Sequence, residues 1–211
     1  MTFDFERHIL QTLEDGVTVK TQAVRENLST LIRCADLMAA CLAGGHKLLI
    51  FGNGGSAADA QHIAAEFVNR FQAERPPLAA MALTTDTSIL TSVGNDYAFE
   101  DVFAKQIEAL GKKDDLAWGI STSGNSANVL KAMAAARLTG LITLGMAGRG
   151  GKLKACADLC LCVPSDITAR IQETHIFVAH VLCDLVDRIL FPERFKADNS
   201  PMDGKPNGPH L

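Results

Sequence analysis

Residues 48–71 read LLIFGNGGSAADAQHIAAEFVNRF, and their order of residue types decides the fold. An apolar run over Leu48–Phe51 is a strand buried on both faces, because nothing in it alternates with polar side chains. The glycines at 52, 54 and 55 form a turn where backbone amides stay uncovered. A helix is predicted over Ala57–Phe71, with apolar residues at helical spacing.

The same unit recurs down the chain. Strands are predicted at Leu78–Leu83, Leu116–Ile120, Leu141–Met146 and Asp158–Val163. Helical patterns lie between them at Asp86–Val93, Glu100–Leu110 and Ala127–Leu138, and a short glycine-rich connection follows Met146. A long helix over Thr168–Leu190 closes the series. Alternating strands and helices with continuously apolar strands specify an α/β three-layer sandwich, a five-stranded parallel sheet flanked by helices. Upstream, Phe5, Ile9 and Leu13 recur at helical spacing, and a longer apolar face runs from Val19 to Leu42 until Gly44-Gly45 ends it. The chain is therefore expected to divide into N-terminal helices (1–45), the α/β domain (46–191) and a flexible tail (192–211) rich in Pro, Gly and Asn.

The chain has 211 residues, 47% of them hydrophobic, enough for a proper core and incompatible with a disordered or disulfide-built protein. Twenty basic and 24 acidic side chains leave a formal charge of −4, so no basic face for nucleic acid is expected. The six cysteines include no CxxC pair and are expected to be buried, reduced thiols. The opening MTFDFERHIL has no basic leader before an apolar run, and no apolar stretch is long enough to span a membrane. A cytoplasmic protein is expected.

Two loops suit an anionic ligand at the carboxyl edge of the sheet. Gly52-Asn53-Gly54-Gly55-Ser56 offers bare amides, and Ser121-Thr122-Ser123-Gly124-Asn125-Ser126 offers four hydroxyls just before a helix. One serine there would be an ordinary helix cap; four around one turn exceed what capping needs. Gly52, Gly54 and Ala57 also match G-x-G-x-x-A, but a dinucleotide fold places an acidic residue about 20 residues on, at the end of the second strand, and the nearest one after that strand, Asp86, is too far. A small phosphorylated ligand fits better.

His62 and Glu66 stand four residues apart and share a helix face. The closing helix adds Gln172, His175 and His180. Spacing pairs Gln172 most naturally with His175, whereas Gln172 and His180 share a quadrant about 12 Å apart along the axis. Periodicity alone does not choose between the two histidines.

Four motifs, GNGGSAADAQHIAAEF, LTTDTSILTSVGNDY, GISTSGNSANVLKA and ARIQETHIFVAH, resemble in order and spacing the bacterial phosphoheptose isomerases of the sugar-isomerase (SIS) superfamily. The resemblance runs to about Phe191. It implies a SIS domain and one Zn2+ per subunit on His62, Glu66, Gln172 and His180. It also implies sugar-phosphate contacts from Asn53, Gly54, Gly55, Glu66, Asn95, Asp96, Ser121, Thr122, Ser123, Ser126 and Gln172. The implied reaction converts sedoheptulose 7-phosphate to D-glycero-D-manno-heptose 7-phosphate through an enediol, opening ADP-heptose supply for lipopolysaccharide or another surface glycan. Glu66 and His180 are the expected proton-transfer residues, and the resemblance implies a homotetramer with active sites at subunit interfaces, the N-terminal helices (1–45) serving oligomerisation. A second reading rests on NRFQAERPPLAAMAL and CDLVDRILFP, which resemble the tetrameric SIS protein that associates with the replication initiator DnaA. That relative lacks the acid and the histidine found here at 66 and 180.

Overall fold

A computed structural model describes residues 3–199, with side chains through Phe195. Five parallel strands form one sheet in the order β2-β1-β3-β4-β5: β1 Leu48–Gly52, β2 Ala80–Ala82, β3 Leu116–Ser121, β4 Ile142–Ala147 and β5 Leu159–Cys162. Every residue of β1 and β3 is buried, as a continuous apolar run requires.

One face of the sheet, carrying Ile50, Trp118, Ile120, Met146 and Leu161, packs on helices α1 (Phe5–Ala43), α2 (Gly55–Val68) and α7 (Thr168–Leu190). The other, carrying Leu49, Phe51 and Ala117, packs on α4 (Ala104–Leu110), α5 (Ala127–Thr139) and α6 (Lys152–Cys156). Between β2 and α4 lie α3 (Thr87–Asp96) and a 3-10 turn over Phe99–Asp101. The chain leaves β1 toward β2 on one side and leaves β3 toward β4 and β5 on the other. The order thus reverses between β1 and β3, and a crevice opens above the carboxyl ends of those two strands.

Some elements differ from the sequence reading. The two N-terminal helical patterns are one helix of 39 residues, capped by Asp4, whose carboxylate accepts from Arg7 N at 3.0 Å. Its apolar residues split between two sides. Leu31, Ala35 and Met38 are buried, while Phe5, Ile9, Leu13, Leu28 and Ile32 each remain more than half exposed. Strand β2 keeps only three of six expected residues, because it is an edge strand paired with β1 alone. Helix α2 stops at Val68, where Phe67 O accepts instead from Leu78 N and from Arg75. The glycine connection after β4 contains α6, a five-residue helix anchored by buried Leu153. Of the stretch expected to be a tail, Pro192–Asn199 forms 3-10 turns, and 200–211 lie outside the described residues.

The outer edge of β5 is closed by a side chain. Asn27 of α1 donates to Cys162 O at 2.9 Å and accepts from Cys162 N at 3.2 Å, imitating the next strand where an open edge would invite another chain.

Candidate active site and metal centre

The crevice between β1 and β3 is walled by the two loops singled out above. Gly54 stands at φ 57° and α2 begins at Gly55, so the first amides of α2 face the crevice. A side chain at Gly55 would begin 2.3 Å from Gln172 Nε2; the missing Cβ is what lets α7 bring its carboxamide onto this turn. Asn53 is held by a reciprocal amide pair with Asn128 of α5, at 2.9 and 2.8 Å. Asn128 is buried and its Oδ1 also accepts from Val129 N, which fixes which way both carboxamides point. Sequence reasoning missed Asn128; its only signal was an asparagine next to the apolar Val129 and Leu130 in the first turn of a helix.

In the second loop the capping explanation fails on geometry. Ser126 is the N-cap residue of α5, yet its hydroxyl caps nothing; it pairs with Ser121 Oγ at 2.8 Å. Ser123 Oγ lies 3.4 Å from Ser121 Oγ and accepts from Asn125 N at 3.1 Å. Three hydroxyls therefore gather beside a helix N-terminus that its N-cap side chain leaves uncapped, an arrangement suited to the oxygens of a phosphate. Thr122 lies on the far side of the turn, where it and Ser123 border a groove of about 280 Å³ with Arg149 and Ser165.

His62, Glu66 and His180 meet at one point. The two Nε2 atoms are 2.8 Å apart, and His62 Nε2 lies 3.3 Å from Glu66 Oε1. Their candidate ligand atoms all fall within 4.8 Å of one another. Two nitrogens on one tetrahedral zinc at about 2.0–2.1 Å lie about 3.3 Å apart, so the histidines need separate by only about half an ångström to share an ion. Two imidazoles and a carboxylate are also a donor set that zinc takes readily. The residues fit the metal. The Phe71 ring stacks on His180, with centroids 5.3 Å apart at 29°, and limits how that imidazole turns. The cluster is less enclosed than the apolar flanks of His62 suggested: the His62 side chain is 48% exposed and that of Glu66 21%.

His175, the partner that spacing favoured for Gln172, points elsewhere. It is buried against β4, its Nε2–H donates to Ala147 O at 3.1 Å, and Nδ1 has no partner. Burial pushes its pKa down to about 4, against the opposing effect of the Ala147 bond. Between the unfolded value near 6.5 and about 4, the unfolded chain takes up a proton that the folded chain refuses. Stability must therefore fall as pH drops through that window, by about 3 kcal/mol when complete. Urea melts of chelator-treated protein at stepped pH should show this slope, and His175→Gln, which keeps a donor for Ala147 O, should flatten it. An unchanged slope in that variant would count against a neutral buried His175.

Asn95 and Asp96 end α3 on the surface, where Asn95 Nδ2 donates to Asp96 Oδ1 at 2.8 Å. No residue of α3 is buried, and the helix packs chiefly on the 3-10 turn that follows it. The structure brings together Asn53, Gly55 and Gln172 at the first loop, the serines at the second, and His62, Glu66 and His180 at the cluster. Asn95 and Asp96 make none of these contacts.

Two further groups went unread in the sequence. Asp59 lies one turn before His62, with a buried Oδ2 that has no partner, and burial raises its pKa while the neighbouring His62 opposes the rise. Arg75 closes the end of α2: it donates to Glu66 O at 2.8 Å and Phe67 O at 2.6 Å, and its Nε reaches Asp187 Oδ1 of α7 at 2.9 Å.

Comparison with known proteins identifies the family. The SIS-domain family model matches residues 13–148. The phosphoheptose isomerase of Roseiflexus sp. (strain RS-1) is 54% identical over 190 residues, covering 90% of this chain and 96% of that one. The enzyme of the same description from Nitratidesulfovibrio vulgaris (strain Hildenborough) is 52% identical over 192 residues, with 90% and 92% covered. Among solved structures, phosphoheptose isomerase GmhA from Neisseria gonorrhoeae superposes with a TM-score of 0.83 at 45% identity, covering 87% of this chain and 99% of that one. A phosphoheptose isomerase from Francisella tularensis gives 0.85 at 38% identity, with 88% and 100% covered. None of these relatives carries the initiator-associated description. The chain belongs to the phosphoheptose isomerase family of SIS-domain proteins.

Proposed function

We propose that this chain isomerises sedoheptulose 7-phosphate to D-glycero-D-manno-heptose 7-phosphate. The observation that carries the reading is the meeting of Glu66 with His62 and His180 at one point. An aldose–ketose isomerisation needs a base for the carbon-bound proton, a group that moves a proton between the two oxygens, and a stabiliser of the oxyanion. Glu66 supplies the base: Oε1 is turned to His62, which leaves Oε2 for the substrate carbon. His180 relays the oxygen-bound proton, its ring steadied by Phe71. Ser121, Ser123 and Ser126, with the first amides of α5, hold the phosphate, while Asn53, the turn at Gly54-Gly55 and Gln172 align the sugar between the loops. A divalent ion held by His62, Glu66, His180 and Gln172, with zinc the best match to the donors, would add Lewis acidity at the carbonyl oxygen.

The exposed apolar side of α1 and the unburied α3 support a homotetramer in which a neighbouring subunit covers the half-open cluster. Asn95 and Asp96 then serve a site completed across that interface. Among the described residues no helix is long and apolar enough to cross a membrane. The product's place in ADP-heptose supply for a surface glycan follows from its identity. The test is direct: sedoheptulose 7-phosphate is supplied and the aldose followed, with and without chelator. Turnover that a chelator abolishes and zinc restores is expected. Absence of the aldose in the metal-loaded enzyme would overturn the assignment, and turnover indifferent to chelator would overturn the metal centre alone.

A further inference from the structure

Strand β5 presents Leu159 and Leu161 to the core on one face and Cys160 and Cys162 on the other. Both cysteines are half-buried, and their sulfurs lie 3.9 Å apart. This departs from the expectation of buried cysteines, which holds for Cys34, Cys41 and Cys183. The residues opposite the pair on β4 are Gly145 and Ala147. A side chain at Gly145 would begin 3.1 Å from Cys160 Sγ and 3.0 Å from Leu153 Cγ, so the missing Cβ is what lets this sulfur lie against β4 beside Leu153 and Ala157.

Alternate residues of a strand are about 6.6 Å apart at Cα, near the upper limit for a disulfide, and joining the sulfurs requires closing to about 2.05 Å. A separation of 3.9 Å instead leaves the two sulfurs in contact, so both can reach one shared soft atom without the closure a disulfide needs. The electrostatics suit the same use. The hydrogen bond between the two thiols holds the pKa of Cys162 down to about 7, with Lys154 assisting against burial, while the same bond raises that of Cys160.

We propose that Cys160 and Cys162 form a two-thiolate site for a soft, thiophilic centre, either closed-shell monovalent copper or trivalent arsenic, separate from the histidine cluster. Thiolates select such centres over the harder ions that oxygen and imidazole take. With an arsenoxide the step is a condensation. Two arsenic–sulfur bonds form, the arsenic–oxygen bond breaks, both thiol protons leave with that oxygen as water, and arsenic stays trivalent.

The full-length protein, native and reduced, is treated with phenylarsine oxide in one arm and with monovalent copper buffered by a chromophoric chelator in the other. Intact mass, free-thiol titration and chelator competition are the readouts. Uptake of one equivalent of either probe is expected, with two thiols lost to the arsenical and release by a dithiol but not a monothiol. Cys160→Ser and Cys162→Ser should each weaken retention by about 100-fold, the loss of the second linked contact. Circular dichroism of each variant establishes that it is folded, and an unfolded variant is replaced by the alanine substitution at the same position. The probe retained identifies which centre the site takes. Uptake of neither, or retention undiminished in both variants, overturns the proposal.

Discussion

Glu66→Gln is expected to lower kcat by about 10²–10⁴-fold while leaving the thermal midpoint and the elution volume of the protein close to those of the wild type. The substitution preserves size and one carbonyl oxygen but removes the charge that accepts a proton. Glu66 is a sound place for such a test because its side chain contributes little to the fold. It stands at the partly exposed rim of α2, and its neighbours Ile63 and Phe67, not Glu66 itself, fill the core. The backbone at this position is held independently, through the Arg75 bond to Glu66 O. A coupled assay for the aldose, run beside metal analysis, separates the two roles of the carboxylate. A variant that keeps its metal and loses turnover assigns the proton to Glu66. One that loses both is reassayed with excess zinc. Turnover near the wild-type rate would remove Glu66 from the chemistry.

What could be read in advance, and what could not, follows from the range over which each feature is encoded. Strands β1, β3 and β4 are continuous apolar runs bounded by glycine or polar turns, so local pattern defines them. Strand β2 was overestimated because apolar residues flank it on both sides, whereas its length is set by how far an edge strand pairs with β1. The five residues of α6 are too few for periodicity to register. The loop residues were legible because turn chemistry is local; the partners that hold them were not. Asn128 sits 75 residues from Asn53, and Asp187 sits 112 from Arg75. The histidines of α7 show the limit most clearly. At about 100° per residue, His175 and His180 diverge by about 140° around the axis, so only one can face α2. Choosing which requires knowing that α7 lays its His175 side on β4, a fact of packing.

Arg75→Met is expected to cost about 3–5 kcal/mol, the usual penalty for removing one partner of a buried ion pair. Its side chain is 1% exposed and that of Asp187 2%. Burial already pushes the Asp187 carboxyl upward against the restraint of the guanidinium, and its Oδ2 has no partner. Without Arg75 the carboxyl must take a proton or remain an unpaired charge in the core. The same substitution also strips donors from the last carbonyls of α2, including Glu66 O and Phe67 O. Arg75 thus joins the end of the helix bearing His62 and Glu66 to the helix bearing His180, two turns beyond His180 on α7. Urea melts measure the stability, and competition with a chromophoric chelator measures whether zinc affinity falls with it. Arg75→Lys separates the two contributions. A lysine restores a charge beside Asp187 but lacks the planar fork that reaches Asp187 and the Glu66 and Phe67 carbonyls together. It should recover part of the stability while leaving zinc affinity reduced. If lysine restored both in full, charge alone would hold α2 against α7, and the helix-end bonds would have no part in placing the cluster.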